Sequence, residues 1–249
     1  NLVDKMVTQK YEELIDSFQK KESELQRYFD LLPDAMAIRE KFGQMIQSKS
    51  LNDIKSWLRS NFRPGSIDVN IMTKVDKVNY RDKEPLPVEY NDAHAALRGF
   101  ANSTLSSSLV LSAGMNPRLY SYIENFEDFY PDQDGNLKKK IILKVSDYRS
   151  ALIQGRFLAK KGIWISEYRV ESGLNCGGHV FASQGNLLGP ILHEFREKRT
   201  ELLDTIFPVY QEALKEKNKT VPRDMPQMKV TAQGGVCTNE EHCFLLEEY

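Results

Sequence analysis

Hydrophobic residues follow two different periods along this chain. In residues 1–60 they recur at spacings of three and four among many Glu, Lys and Gln residues, which is the pattern of amphipathic helices. The pattern is interrupted at the Leu-Pro-Asp sequence of residues 32–34 and near residues 48–52, so we expect separate helices. Because the stripe does not sustain heptads, it favours packing within the chain over a coiled-coil arm for dimerisation.

From residue 61 onward, short apolar runs alternate with amphipathic segments. Five runs are predicted strands, at residues 67–72, 109–113, 141–145, 163–170 and 228–233. Helical segments are predicted between most of them, and the longest, from residue 187 to about residue 217, contains Pro208 as an expected kink or break. The charged segment 76–92 is predicted to be a surface loop. This alternation indicates an α/β fold with a parallel sheet and helices outside it.

Polar residues and glycines fall at or just past the predicted carboxyl ends of these strands, where α/β proteins bind ligands. They are Asn70, Ser112, Lys144, Gly177, Gly178, His179, Gly234 and Gly235. The two Gly-Gly turns accept positive φ and allow backbone amides to approach an anionic ligand. For Asn70, capping of the following turn is an equal alternative, and for His179 the alternative is a hydrogen bond to a neighbouring loop.

The lysines near the third predicted strand are expected to differ in environment. Residues 138–140 are three consecutive lysines that are predicted to form the solvated start of the strand. Lys144 lies inside the apolar run near the carboxyl end of the strand. A buried lysine requires an anionic partner, so the sequence predicts a carboxylate or an anionic ligand beside Lys144.

Composition excludes several classes of function. The 249 residues carry 34 basic and 35 acidic side chains, so no global field favours nucleic acid. No apolar run approaches the ~18–20 residues that a membrane helix needs, and no signal peptide is expected. Three cysteines are an odd number, which favours reduced thiols and a cytoplasmic setting. Cys237, His242 and Cys243 are close in sequence but lack the C-x-x-C pairing of zinc sites, so no metal is expected.

Four stretches carry a resemblance to a known family. They are VNIM at residues 69–72, LSAGMNP at residues 111–117, GLNCGGH at residues 173–179 and AQGGV at residues 232–236. In this order they resemble the FMN-dependent (β/α)8-barrel oxidoreductases, which include nitronate monooxygenases (2-nitropropane dioxygenase-like proteins) and the flavin-type enoyl-acyl-carrier-protein reductases. The resemblance covers roughly residues 61–249. It implies a partial FMN-binding TIM barrel there, with residues 1–60 as a helical extension.

The resemblance implies a flavoprotein with FMN across the barrel mouth. Backbone amides around Gly234 and Gly235 would bind the phosphate, and Gly177 and Gly178 would allow close approach of the chain. The remaining implied cofactor-binding residues are Asn70, Ser112, Lys144 and Gln233. His179 would be the catalytic base or an orienting donor. The implied activity on a small-molecule substrate is oxidation of a nitronate with dioxygen, or reduction of an activated double bond with NAD(P)H.

Departures from the family leave two other functions open. The family's first strand segment does not appear before Asn61, and its last strand would lie beyond Tyr249, so the sequence predicts the middle of a larger barrel protein. Cys176 stands where the family pattern has a small residue such as Ala. One alternative is a catalytically inactive, barrel-derived protein that binds a phosphorylated ligand or regulates a partner. Another is a barrel enzyme that acts on a phosphorylated substrate without flavin.

Overall fold

The computed structural model describes residues 1–19, 23–32, 36–73, 76–171 and 187–249. The chain divides into two compact units, Asn1–Ile67 and Asp68–Tyr249. Within the described ranges, no helix combines the length and the apolar character needed to cross a membrane.

The first unit consists of four helices, α1 (Leu2–Asp16), α2 (Glu24–Leu31), α3 (Ala37–Ser48) and α4 (Leu51–Asn61). Their apolar residues form one small core: Ile15, Phe18, Leu25, Phe29, Phe42, Ile54, Leu58 and Phe62. The rings of Phe29 and Phe42 stack with centroids 3.8 Å apart. Helix α4 begins with a capping box, in which Ser50 and Asp53 each satisfy the other's backbone N–H. This unit therefore buries its own apolar stripe.

One helix boundary in this unit was not predicted from the sequence. The first helix ends at Asp16, and α2 begins at Glu24 with the Ser23 hydroxyl accepting from the Gln26 N–H. The apolar spacing continues through this break because Phe18 belongs to the same core as the helical residues. Periodicity alone therefore could not reveal the break.

The second unit is an α/β fold around a five-stranded parallel sheet, as predicted. The sheet strands are β1 (Val69–Ile71), β4 (Ser107–Leu111), β5 (Lys139–Val145), β6 (Ile165–Glu171) and β7 (Lys229–Gln233). They lie side by side in chain order, with β1 and β7 at the two edges of the described sheet. All five predicted strands are confirmed to within a few residues. The finer expectation of a TIM barrel stays a prediction.

The helices pack on one face of this sheet. They are α5 (Asp92–Ala101), α6 (Pro117–Ile123), α7 (Tyr148–Ala159), α8 (Leu188–Glu197) and α9 (Arg199–Glu216). Alternate strand residues such as Leu109, Leu143 and Val170 share a single hydrophobic core with residues of these helices. A last helix, α10 (Asn239–Glu248), follows β7. The polar residues between the apolar ones therefore lie on the opposite face of the strands.

Of the kink or break predicted at Pro208, the break is wrong. Pro208 lies inside α9, and the interruption occurs at Lys198, between α8 and α9. Pro208 and Asp204, whose carbonyl loses its helical hydrogen-bond partner, are both exposed, and the helix continues through them. At the actual break, the Lys198 carbonyl accepts from the Tyr148 hydroxyl at 3.2 Å.

The predicted solvation of residues 138–140 is wrong for Lys139, which is 1% exposed. Its ammonium group donates to the Ser103 hydroxyl at 2.8 Å and to the Ser103 carbonyl at 3.1 Å, and also to the Leu105 carbonyl. It also lies 4.5 Å from the centroid of the Phe100 ring. Burial lowers the pKa of Lys139. Since alternation along β5 directs Lys139 toward the helices, only its neighbours Lys138 and Lys140 remain at the surface.

The predicted loop at 76–92 contains a short hairpin, β2 (Tyr80–Arg81) and β3 (Glu84–Pro85), followed by a 3-10 turn at Val88–Tyr90. Asp82 and Lys83 at the hairpin tip have positive φ. Asp76 anchors the start of this segment by accepting from the Ala93 N–H at 2.8 Å and by contacting the buried His94 ring. The hairpin itself is exposed, as predicted for a surface segment.

Candidate functional site

The carboxyl ends of the five parallel strands meet at one edge of the sheet, which we call the carboxyl edge. Of the residues predicted for the site, Asn70 is in β1, Lys144 is in β5 and Gln233 ends β7. Ser112 directly follows β4, whose last residue, Leu111, aligns with Leu143 of β5. The described members of the predicted site therefore lie along one edge of one sheet. Gly177, Gly178 and His179 lie outside the described residues.

Polar residues occupy one face of the sheet near this edge. Strand alignment places Lys144 beside Arg169, which aligns in turn with Thr231 on β7. Glu171 aligns with Gln233 one step nearer the carboxyl edge. Together with Asn70 and Glu167, these residues form what we call the polar face: Asn70, Lys144, Glu167, Arg169, Glu171, Thr231 and Gln233. They alternate along their strands with core residues such as Leu143 and Val170, which places them on the face away from the helices.

Lys144 has the anionic partner that its position required. Its ammonium group forms an ion pair with Glu171, the last residue of the neighbouring strand. The side chains are only 12% and 6% exposed, respectively. Because the two residues come from adjacent strands, the pair links β5 to β6 at the carboxyl edge. An ionised side chain left alone at this depth would destabilise the fold, so each residue depends on the other.

A second charged group lies next to this pair, farther from the carboxyl edge. The Glu167 carboxylate accepts from Arg169 Nε at 2.8 Å and from the Thr231 hydroxyl at 2.7 Å. These residues line a shallow, open depression together with Ala232 and Gln233. The guanidinium and hydroxyl groups thereby hold Glu167 in place and connect β6 to β7.

The second Gly-Gly turn has the backbone conformation that its sequence predicted. Gly234 and Gly235 have φ values of 79° and 76°, which side-chain-bearing residues rarely adopt. Both glycines are exposed, immediately past the end of β7. Successive amides in such turns form concavities that bind anions. The geometry is therefore compatible with a phosphate group at this turn.

The amides just beyond this turn are already occupied. The Glu241 carboxylate accepts from the Cys237 N–H at 2.7 Å and from the Thr238 N–H at 3.1 Å, closing a capping box at the start of α10. Both hydrogen bonds favour the ionised carboxylate, and they lower the pKa of Glu241. An anion at the turn would therefore be left with the amides preceding Cys237.

Ser112, which was predicted as a cofactor contact, has a partner within its own turn. The Ser112 hydroxyl donates to the Gly114 carbonyl at 3.1 Å, within the turn that follows β4. Asn116 caps α6 by accepting from the Leu119 N–H at 3.1 Å. The LSAGMNP stretch thus builds a strand-to-helix turn in which both polar side chains have local roles.

Reasoning from the sequence missed the carboxylates and the arginine of β6. Residues 165–171 read ISEYRVE, so the polar residues Glu167, Arg169 and Glu171 alternate with Tyr168 and Val170. That period of two is a sequence signal for a strand with one polar face. The period of two does not by itself distinguish a functional site from an ordinary solvated face of a strand.

Comparisons with known proteins find no relative of this chain. The chain matches no protein-family model, no curated protein and no solved structure. Within the described ranges, no three His, Cys, Asp or Glu side chains lie close enough together to hold a metal ion. Fold and site together define an α/β protein with charged and amide side chains along the carboxyl edge of a parallel sheet.

Proposed function

We propose that this chain is an FMN-dependent oxidoreductase similar to nitronate monooxygenases and flavin-type enoyl-acyl-carrier-protein reductases. One observation carries the proposal: Asn70, Lys144, Gln233 and the Gly234-Gly235 turn lie along one carboxyl edge, where the family resemblance requires them. The proposed fold is part of a (β/α)8 barrel. Five parallel strands in chain order, with helices on one face, support it because consecutive barrel strands have this arrangement.

The hydrogen-bond donors and the cation among the described residues match the polar groups of a flavin. The side-chain amide of Asn70 can donate to a carbonyl group of the isoalloxazine ring, Lys144 supplies a cation for the electron-rich end of the ring, and Gln233 lies beside the turn proposed for the phosphate. The Gly234-Gly235 turn offers backbone N–H groups to the phosphate. When bound, FMN would supply the capacity to accept a hydride or electrons from the substrate.

The residues of this chain would position the substrate and handle protons. His179 stays a prediction from the sequence, as the general base or orienting donor near the substrate. Lys144, held by Glu171, would bring positive charge to the carboxyl edge without exposing it to bulk water. A nitronate with dioxygen, or an activated double bond with NAD(P)H, is the proposed substrate pair.

The first test is direct identification of a bound cofactor. The purified chain is denatured, and any released chromophore is identified by absorbance and mass. We expect FMN, either co-purified or taken up on addition of free FMN with quenching of flavin fluorescence. A chain that neither releases nor binds FMN would contradict the proposal. In flavin-loaded protein, unchanged turnover of His179→Ala would remove His179 from the catalytic role.

One observation favours a second candidate, a catalytically inactive, barrel-derived protein with a regulatory role. Lys144 and the amides at the start of α10 are already satisfied by Glu171 and Glu241, respectively. Internal partners of this kind complete the site electrostatically without a cofactor. Failure to bind FMN, together with no stabilisation of the chain by phosphorylated small molecules, would favour this candidate.

A further inference from the structure

The charges at the carboxyl edge are balanced within the protein. From Glu167 to this edge, the polar face of β5 and β6 carries two cations and two carboxylates: Lys144, Arg169, Glu167 and Glu171. Arg169 and Thr231 both bind the Glu167 carboxylate. Lys144 and Glu171 form the other pair. An anionic group that enters here must therefore take the place of one of the carboxylates.

Of the two carboxylates, Glu171 is the one that a ligand can replace, because it lies at the end of its strand. Glu167 lies farther from the carboxyl edge and accepts hydrogen bonds from side chains on two strands, whereas Glu171, although less exposed (6% against 15%), is the terminal residue of β6. Lys144 aligns with Arg169, so its ammonium group reaches toward the carboxyl edge to meet Glu171. The pair therefore lies where ligands approach parallel sheets, and the rest of the charge network lies behind it.

We propose that Lys144 and Glu171 form an exchangeable ion pair, in which Glu171 holds the ammonium group until an anionic oxygen or nitrogen of a bound ligand replaces it. The ligand class is a compact, delocalised anion. Only the identity of this ligand rests on the proposed function. Under that function, the ligand is the electron-rich end of the isoalloxazine ring. Glu171 is thus a positioning residue that keeps the lysine charged and oriented in the free protein.

The exchange lowers the affinity for anions in a predictable way. A ligand must displace Glu171 before it gains the full attraction of Lys144, so the intact pair opposes binding. Glu171→Gln preserves the shape and the polar character of the side chain but removes its charge. We expect the variant to bind small anions at least tenfold more tightly than the unaltered chain.

Inorganic phosphate is the probe, because it tests the pair without assuming a flavin. Thermal unfolding of the full chain is followed as phosphate is added, with sodium chloride at equal ionic strength as the reference. Glu171→Gln should show stabilisation at phosphate concentrations at least tenfold lower than the unaltered chain. The comparison is Glu167→Gln, a carboxylate on the same strand and face, which releases Arg169 instead of Lys144, so any gain that it shows should survive Lys144→Met. The further change Lys144→Met in the Glu171→Gln background should abolish the gain.

Two results would overturn the proposal: equal phosphate dependence in Glu171→Gln and the unaltered chain, or a gain that survives Lys144→Met. If Glu171→Gln does not fold, the double variant Lys144→Met/Glu171→Leu replaces both charges with apolar groups. It should lose the weak phosphate response of the unaltered chain, and an undiminished response would equally overturn the proposal. FMN titration of the same variants is separate, so absence of flavin binding would reject the cofactor and leave the phosphate result to decide the exchange.

Discussion

Gly155 on α7 lies directly against the hydroxyl of Tyr168 on β6. A Cβ atom at position 155 would come within 2.3 Å of that hydroxyl oxygen and within 2.5 Å of Ile206 Cδ1 on α9. Contacts this short do not occur between real atoms, so the helix reaches the sheet at this distance only because residue 155 has no side chain. The packing of α7 between β6 and α9 therefore depends on one glycine.

The variant Gly155→Ala should destabilise the fold. Overpacking of this kind typically costs about 1–3 kcal/mol, because side chains or backbone must shift to accommodate the added methyl group. The matched control is Gly99→Ala in α5, where nothing lies within 4 Å of the new Cβ. That change should stabilise the helix by about 0.5–1 kcal/mol. Urea unfolding monitored by circular dichroism measures both, and equal effects would contradict the packing argument.

Tyr168→Phe should leave the stability unchanged or raise it. The Tyr168 hydroxyl is buried and has no hydrogen-bond partner within the described part of the chain. Removing an unsatisfied buried polar atom relieves its desolvation cost. In the Gly155→Ala background the same change should recover part of the lost stability, because it removes the nearest clashing atom. A large loss of unfolding free energy in Tyr168→Phe alone would show that the hydroxyl makes a favourable interaction.

The free energy of unfolding should fall as the pH rises above the ordinary pKa of tyrosine. Burial raises the pKa of Tyr120, Tyr168 and Tyr210, and burial together with Glu124 and Glu127 raises the pKa of Tyr130 to about 12. Below the ordinary tyrosine pKa of about 10 these groups are protonated in both states, so their contribution is fully present. Above this pKa, the tyrosines of the unfolded chain ionise first. The free energy of unfolding therefore falls until the pH exceeds the pKa values that these tyrosines have in the folded protein. Absorbance of phenolate at 295 nm should show these tyrosines ionising together with unfolding.

Lys144 and Glu171 should show strong coupling in a double-mutant cycle. Lys144→Met leaves a carboxylate without its cation at a site that is 6% exposed, which should cost about 3 kcal/mol or more. The double variant Lys144→Met/Glu171→Leu should recover most of this loss, because apolar residues of similar size replace the pair. Denaturant midpoints of the four proteins provide the coupling energy. Additive effects would mean that the two side chains do not share a stabilising interaction.

The Gly234-Gly235 turn provides a test of the proposed phosphate contact. Gly235→Ala places a side chain at a φ of 76°, so the turn should change conformation and move its amides. We expect FMN affinity to fall at least tenfold, while Gly99→Ala, the neutral helix control, binds normally. Fluorescence titration with FMN measures both. Unaltered affinity in Gly235→Ala would place the phosphate elsewhere.

The strands were easier to predict from the sequence than the breaks between helices. Each sheet strand was evident as a short apolar run, since strands buried on at least one face must be apolar there. The break at Lys198 could not be predicted, because its stabilising hydrogen bond comes from Tyr148, fifty residues away in the sequence. Pro208 gave a misleading signal, because local propensity does not include exposure, and a helix tolerates a proline better at an exposed position, where solvent can reach the freed carbonyl.

The candidate site was predictable only in part. The apolar surroundings of Lys144 indicated that it needs an anionic partner, but periodicity could not identify which carboxylate. Glu171 became identifiable once the strand register placed β6 next to β5. His179 follows from family resemblance alone and lies outside the described residues, so its role remains a prediction.

The order of the strands has a consequence for how the chain assembles. Each strand of the sheet pairs with the strands nearest to it in the sequence, so every pairing becomes available as synthesis proceeds from β1 to β6. The last pairing is different, because both α8 and α9 lie between β6 and β7. We therefore expect addition of β7 to be the slow step on the ribosome, leaving the edge of β6 open to wrong partners in the meantime.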